Sequence, residues 1–194
     1  MHATVCDIIA DLVQNSIEAG ASQVTLEVST NPERIDVCIA DNGKGMDEIT
    51  LKKAVEPFYS ETGKHVHRRV GLGLPFLIQT AEAAGGAVQI QSQPDEGTTV
   101  RFHFDAKHWD TPPMGNLAQT VLGLMTFGNA TNLILTRKMV TDSYEISRND
   151  LIDALGNLEE AGTLVLAKAY LESQEDNLDQ SNPAIKLIQL KKEE

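Results

Sequence analysis

The sequence predicts an α+β fold with a small C-terminal α/β extension, and three observations lead there. Apolar residues recur at helical spacing from Ala3 to Ala19, alternating residues flank a turn at Asn31-Pro32, and a further helix and hairpin follow between Leu74 and Phe104. With 194 residues and 41% hydrophobic content, the chain can build one good core and a small appended one.

Val5, Ile8, Ile9, Leu12, Val13 and Ile17 form the first helical stripe, and Gly20 supplies its stop. Gln23 to Ser29 and Arg34 to Ala40 alternate apolar with polar residues, as two adjacent antiparallel strands would. The run Asp41-Asn42-Gly43-Lys44-Gly45 must then turn sharply, which its glycines permit. Asp47 is placed to cap a short helix reaching Val55. From Glu56 to Arg69 the chain is polar, aperiodic and interrupted by Gly63, the pattern of a lid loop. Leu74, Leu77, Ile78, Ala81 and Ala84 make the next helical stripe, with Pro75 in its first turn and Gly85-Gly86 at its end. Val88 and Ile90, then Val100, Phe102 and Phe104, alternate around a turn at Pro94 to Gly97 and read as a hairpin.

This divides the chain into a first domain over 1–107, an extension over 108–171 and a polar tail over 172–194. The extension reads as a helix from Asn116 to Met125, two short strands between Thr131 and Ile146, and a helix from Asn149 to about Glu160. No chemistry stands out in it. The tail is rich in Gln, Asn, Asp, Glu and Lys, yet Ile185, Leu187, Ile188 and Leu190 suit a terminal strand or docking helix, so partial order is expected.

Twenty-eight acidic against sixteen basic side chains give a net charge of −12, which removes the electrostatic drive for unspecific nucleic-acid binding. A small anion needs only a local site. No apolar run reaches the length of a membrane span, and the N-terminus lacks the basic-then-apolar order of a signal peptide, so a soluble, cytoplasmic protein is expected. Cys6 and Cys38 lack the spacing of zinc or redox pairs and read as buried thiols, while His2, His103 and His108 show no metal-ligand pairing.

On the first helix, Asp11, Asn15 and Glu18 share a polar stripe that offers oxygen ligands, although a plain solvated helix face would look the same. Asp41 to Met46 follows a strand; its glycines leave room beside a flat ligand, and Asp41 can accept a hydrogen bond from an amino group. Taken alone, the Asp-Asn-Gly run is more often an ordinary turn. Gly71-Leu72-Gly73-Leu74 opens a helix, where backbone N–H groups can hold phosphate oxygens. It lacks the parallel βαβ setting of a dinucleotide site, and no Gly-Lys-Ser/Thr follows as in a Walker A loop.

In this order the segments resemble the ATPase family named for gyrase, heat-shock chaperone, histidine kinase and MutL. The resemblance covers about residues 3 to 106. Asp11 to Ala21 looks like the N box, with Asn15 at the Mg²⁺-binding asparagine, and its Glu-Ala-Gly-Ala ending leans toward MutL. Asp41 to Met46 looks like the first glycine box, Glu56-Pro57-Phe58-Tyr59 like the F box of histidine kinases, and Gly71 to Leu74 like their second glycine box. Thr98-Thr99 matches the threonine-bearing strand beside adenine.

The resemblance implies a Bergerat-type two-layer α/β sandwich, a mixed and mostly antiparallel sheet covered by helices, that binds ATP with Mg²⁺. The implied nucleotide contacts are Asn15, Glu18, Asp41, Gly43, Gly45, Met46, Phe58, Lys64, Arg68, Gly71, Leu72, Gly73, Leu74, Thr98 and Thr99, with Asn15 on the metal. Asp11 stands where hydrolases of this family carry a glutamate general base, one methylene longer. His65 and His67, beside Lys64, Arg68 and Arg69, read as exposed loop residues before any chemical role.

The chain starts at the N box, without the upstream hairpin that bears the phospho-accepting histidine of sensor kinases, so ordinary autophosphorylation is not expected. The leading expectation is a histidine-kinase-like catalytic module acting on or regulating a separate protein partner or phosphoacceptor. A slow ATP hydrolase driving a conformational change and a nucleotide-sensing module are the alternatives. A DNA-repair role like that of MutL fits poorly with the acidic charge, and the oligomeric state is open.

Overall fold

The computed structural model describes residues 4–56, 73–127 and 130–183. Helix α1 (Val5–Glu18) is started by a capping box: the Asp7 backbone N–H donates to Thr4 Oγ1 at 3.1 Å, and the Thr4 N–H donates to Asp7 Oδ2 at 2.8 Å. Strands β1 (Gln23–Thr30) and β2 (Arg34–Asp41) pair antiparallel, so that Val24 faces Asp41 and Thr30 faces Ile35. Asp47 caps the short α2 (Glu48–Ala54) by accepting the Thr50 N–H at 2.7 Å, which holds its carboxyl below the ordinary range. Helix α3 (Gly73–Ala83) leads into the hairpin of β3 (Ala87–Gln93) and β4 (Gly97–Asp105).

Beyond residue 107 come α4 (Leu117–Phe127), β5 (Asn132–Lys138), β6 (Ser143–Ser147), α5 (Arg148–Leu155) and α6 (Ala161–Ser181). This segment adds to the same sheet and the same core. The six strands run in the order β3-β4-β2-β1-β5-β6, and β5 lies parallel to β1 with Leu26 opposite Leu135. The remaining neighbours are antiparallel, so the sheet is mixed and mostly antiparallel, as the sequence implied.

One face of the sheet is covered. Val24, Leu26, Val28, Val37, Ile39, Phe102, Phe104, Leu133 and Leu135 pack in one buried cluster with Ile9 and Val13 of α1, Leu77 of α3, Val121 and Met125 of α4, and Leu171 of α6. The other face carries polar side chains, among them the exposed Glu27, Gln89 and Arg101, as expected for a sheet with one solvated side. Cys6 is buried against α4 and its thiol is pushed up to about 12 by that burial, whereas Cys38 lies half-buried on the open face.

Two sequence expectations need correction here. The second extension helix ends at Leu155, where Gly156 takes φ +98°, and it does not run to Glu160. Residues 161–171 and the start of the supposed tail form the long α6 instead. Its first half is apolar nearly all round and its second half nearly all polar, and Glu160 makes no side-chain cap, so neither a stripe nor a start signal marked it.

A buried polar cluster ties α6 to the sheet. Arg137 of β5 is 1% exposed; its guanidinium donates to Thr30 Oγ1 at 2.9 Å, Lys138 O at 3.0 Å and Val28 O at 3.3 Å, and faces Glu175 Oε2 at 3.4 Å. The Tyr144 hydroxyl donates to the other Glu175 oxygen at 2.6 Å. Burial, then the Glu175 charge, raises the Tyr144 pKa well above its ordinary value.

Candidate functional site

Asp41 is the last residue of β2 and sits between β1, where it faces Val24, and β4, where it faces Thr98. Its carboxylate is held from two sides. Oδ1 accepts the Gly43 N–H at 2.8 Å and the Thr98 N–H at 3.3 Å, and Oδ2 accepts the Ser16 hydroxyl at 2.8 Å. Ser16 is 6% exposed on the packed side of α1, so helix and sheet meet at this group. An ionised carboxylate has about four acceptor sites. Capacity therefore remains on Oδ2 for a donor in the cavity beside it.

That cavity encloses about 260 Å³, near the lower end of small-molecule sites, which run from roughly 300 Å³ upward. Leu12, Ile39, Met46, Ala54, Leu74 and Val100 supply apolar walls, while Asn15, Ser16, Asp41 and Thr98 bring polar atoms. A flat apolar body with one hydrogen-bonding edge suits such a lining.

The turn after Asp41 is fixed by close approach. A Cβ on Gly45, at φ +60°, would lie 1.8 Å from the Gln93 carbonyl oxygen, so only glycine fits. Gly97 is equally constrained: at φ +109° its Cβ would lie 1.9 Å from the Asp41 carbonyl oxygen. Backbone bonds from Lys44 N to Ala19 O at 3.1 Å and from Asp95 N to Lys44 O at 2.8 Å join the turn to the end of α1 and to the β3–β4 turn. Asn15 is exposed at the rim, where a Cβ on Gly73 would come 3.8 Å from its Nδ2, so the carboxamide stands at the first residue of α3.

Comparison with known proteins decides the family of the domain that carries this cavity. The family described as histidine kinase-, DNA gyrase B- and HSP90-like ATPase matches residues 3–108, more than half of the chain. The chain belongs to that ATPase family. It is 29% identical over 103 residues to the sensor histidine kinase YxdK of Bacillus subtilis, covering 51% of this chain and 32% of that protein. It is 32% identical over 100 residues to a putative sensor protein of Shewanella frigidimarina, covering 50% of this chain and 15% of that one. The chain thus spans about a third or less of the length of these curated relatives. A solved structure described as the N-terminal domain of a DNA repair protein aligns over 84% of this chain and 59% of its own, with TM-score 0.54 and 16% identity, which shows a shared fold.

Within this ATPase domain the structure gathers Asn15, Asp41, Gly45, Met46, Gly73, Leu74 and Thr98 around the cavity. Gly43 serves from behind by donating its N–H to Asp41. Among the described residues, Asp11, Glu18 and Thr99 are not in the cavity lining. Thr99 pairs with Ala40 and points to the open face of the sheet, because successive strand residues alternate sides and Thr98 holds the inner position. Phe58, Lys64, Arg68, Gly71 and Leu72, with His65 and His67, lie outside the described residues.

Sequence reasoning missed Ser16 and Ser92. Ser16 had a signal: it falls four residues after Leu12 in the apolar stripe of α1, where a buried hydroxyl needs a partner. Ser92 had none beyond its place on an inward position of β3, and its importance appears only through its neighbours Met46 and Thr98.

Proposed function

We propose that the chain is a Mg-ATP-binding, histidine-kinase-like catalytic module that acts on or regulates a separate partner protein. The observation that carries this reading is the Asp41 carboxylate, oriented by Ser16, Gly43 and Thr98 at the wall of a mostly apolar cavity. Adenine has a flat apolar body and an exocyclic amino group, and that amino group would donate to Oδ2. Family membership and relatives named sensor histidine kinases support ATP as the nucleotide and a protein as the acceptor.

The donor set fits Mg²⁺. No group of three or more His, Cys, Asp or Glu among the described residues could hold a metal by itself, but Mg²⁺ keeps several waters and takes only one or two protein ligands beside phosphate oxygens. The Asn15 carboxamide oxygen, at the rim beside the start of α3, would be that ligand, and the metal would neutralise triphosphate charge. The N-terminus of α3 would favour phosphate through its backbone N–H groups, with Gly71, Leu72 and Gly73 assigned to it from the sequence. Lys64 and Arg68 are assigned to the triphosphate and Phe58 to the cavity edge on the same sequence grounds.

In the reaction, a nucleophilic side chain of the partner attacks the γ-phosphorus, the bond to the β-phosphate oxygen breaks, and ADP leaves. Asp11, one helical turn before Asn15, would orient or deprotonate the attacking group. The same position supports a second reading, slow hydrolysis with water as nucleophile. An ATP-fed module fits a cytoplasmic location, and among the described residues no helix is long and apolar enough to cross a membrane.

The test is incubation with γ-labelled ATP, with and without extract, following released phosphate and protein-bound label together with calorimetry of Mg-ATP binding. Binding with label appearing on a second protein is the expected result. Failure to bind ATP would remove the reading, and rapid partner-free release would replace it with the hydrolase.

A further inference from the structure

We propose that Ser92 is a positioning residue that fixes the Thr98 hydroxyl as a hydrogen-bond acceptor, so that the cavity wall selects ligand edges rich in donor hydrogens. This rests on the nucleotide-binding reading and adds a specificity device to it.

Three groups surround the Ser92 oxygen. The Met46 N–H lies at 2.8 Å, the Gly97 carbonyl oxygen at 3.1 Å and Thr98 Oγ1 at 2.8 Å. A serine hydroxyl has one hydrogen and two lone pairs. The Met46 N–H can only donate and the Gly97 oxygen can only accept, so the Ser92 hydrogen goes to Gly97 and one lone pair takes the Met46 N–H. The second lone pair then faces Thr98, which must donate. Any other assignment sets two oxygen lone pairs against each other at 3.1 Å.

Once its hydrogen is committed to Ser92, Thr98 Oγ1 has only lone pairs left for the cavity it lines. Asp41 beside it accepts from three donors and offers acceptor capacity as well. Where Asp41 and Thr98 meet the cavity, the wall is therefore all acceptor. An exocyclic amino group brings two N–H donors to such a wall, whereas a keto oxygen in its place would meet oxygen against oxygen. Without Ser92, the Thr98 hydroxyl would rotate freely and could donate to that keto oxygen.

ATP and inosine triphosphate test this effect, because they share shape and phosphates and differ along one edge, where the 6-amino group becomes a 6-oxo group and N1 gains a hydrogen. The group facing position 6 then meets a donor in one and an acceptor in the other. Calorimetry of both Mg-nucleotides with the parent chain, Ser92→Ala and Ser92→Thr reads the wall directly, with thermal melting as the control for folding. The parent should prefer ATP. Ser92→Ala should lower that preference about tenfold, chiefly by tightening inosine triphosphate binding, and Ser92→Thr should restore it. A merely structural Ser92 would weaken both nucleotides alike and leave the ratio unmoved, and that result overturns the proposal. Thr98→Val provides the route if Ser92→Ala fails to fold: deleting the fixed acceptor should also lower the ratio, and an unchanged ratio there overturns the proposal equally. A parent chain that binds neither nucleotide removes the nucleotide reading itself, which is distinguishable from a parent that binds ATP but whose preference ignores Ser92.

Discussion

Replacing Asp41 by Asn changes one hydrogen-bonding atom at the cavity wall and leaves the surrounding geometry in place. The amide oxygen can keep the Gly43 and Thr98 N–H bonds now made by Oδ1 at 2.8 and 3.3 Å. The amide nitrogen then replaces Oδ2 and donates to Ser16 Oγ, whose own hydrogen turns to Leu12 O, already 3.3 Å away. Every described donor retains an acceptor, so the melting temperature should move little. The cavity, however, now meets an N–H where it met a carboxylate oxygen. A hydrogen bond to a charged acceptor contributes about 1.5–3 kcal/mol. Its loss weakens ATP about ten- to a hundredfold, with donor facing donor pushing toward the upper figure. Inosine triphosphate, with an acceptor at that position, should gain relative to ATP. Calorimetry of both nucleotides at saturating Mg²⁺ measures the change. An unaltered ATP affinity in a folded Asp41→Asn chain would refute the assignment of Oδ2 to the base.

Asn15→Ala should weaken Mg-ATP by more than it weakens ATP in excess chelator, since it deletes a metal ligand and leaves the base wall intact; equal losses in paired titrations would argue against the metal role. Glu175→Gln removes the carboxylate facing the 1% exposed Arg137 while three oxygen acceptors remain, so about 2–3 kcal/mol of stability should be lost, read as a fall of about 5–10 °C in a thermal melt. Asp11→Asn should leave ATP binding nearly intact and abolish whatever phosphate release the parent shows; slow parent release, on the order of one turnover per minute or less, accompanies the kinase reading. Ending the chain after residue 108 should give a poorly soluble, non-cooperatively melting product, because it strips β5 from the edge of β1 and α4 from α1; a cooperative melt with parent-like ATP affinity would contradict this.

From residue 4 to 56 and from 73 to about 105 the chain was legible because each element carried its own local signal. The stripe of α1, the alternation of β1 and β2, the Asp47 cap and the β3–β4 turn each stated a period or a stop, and the structure has them within a residue or two of the expected bounds. Asp41 and Gly45 were singled out by their glycine-bearing turn and Thr98 by the family resemblance, and all three line the cavity. What escaped is non-local. The parallel pairing of β1 with β5 joins residues more than a hundred positions apart, and no period announces it. Nothing local marks Arg137 as a buried side chain, since its carboxylate partner Glu175 lies 38 residues on in α6, and Thr99 looked equivalent to Thr98 until strand register assigned them opposite faces. Ser16 and Ser92 act through partners 25 and 46 residues away.

The wall and the chemistry of this site are separable, and that separation orders the experiments. Asp41, Thr98, Ser16 and Ser92 hang on strand ends and a packed helix, held by hydrogen bonds between secondary elements, the arrangement that gives a binding edge its precision. In the proposed reading they address the base. A kinase, a hydrolase and a sensor would use that wall identically, since all three must first hold the nucleotide. They differ in what meets the γ-phosphate, and the group proposed for that place is Asp11, one turn from Asn15 on the same helix. A base-edge variant should therefore change affinity and nucleotide preference under any of the three functions, whereas Asp11→Asn should change turnover alone, and only where turnover exists. Affinity lost at Asp41 together with turnover lost at Asp11 would establish a catalytic nucleotide site; affinity lost at Asp41 with no turnover to lose at Asp11, even with partner present, would assign the chain to nucleotide sensing.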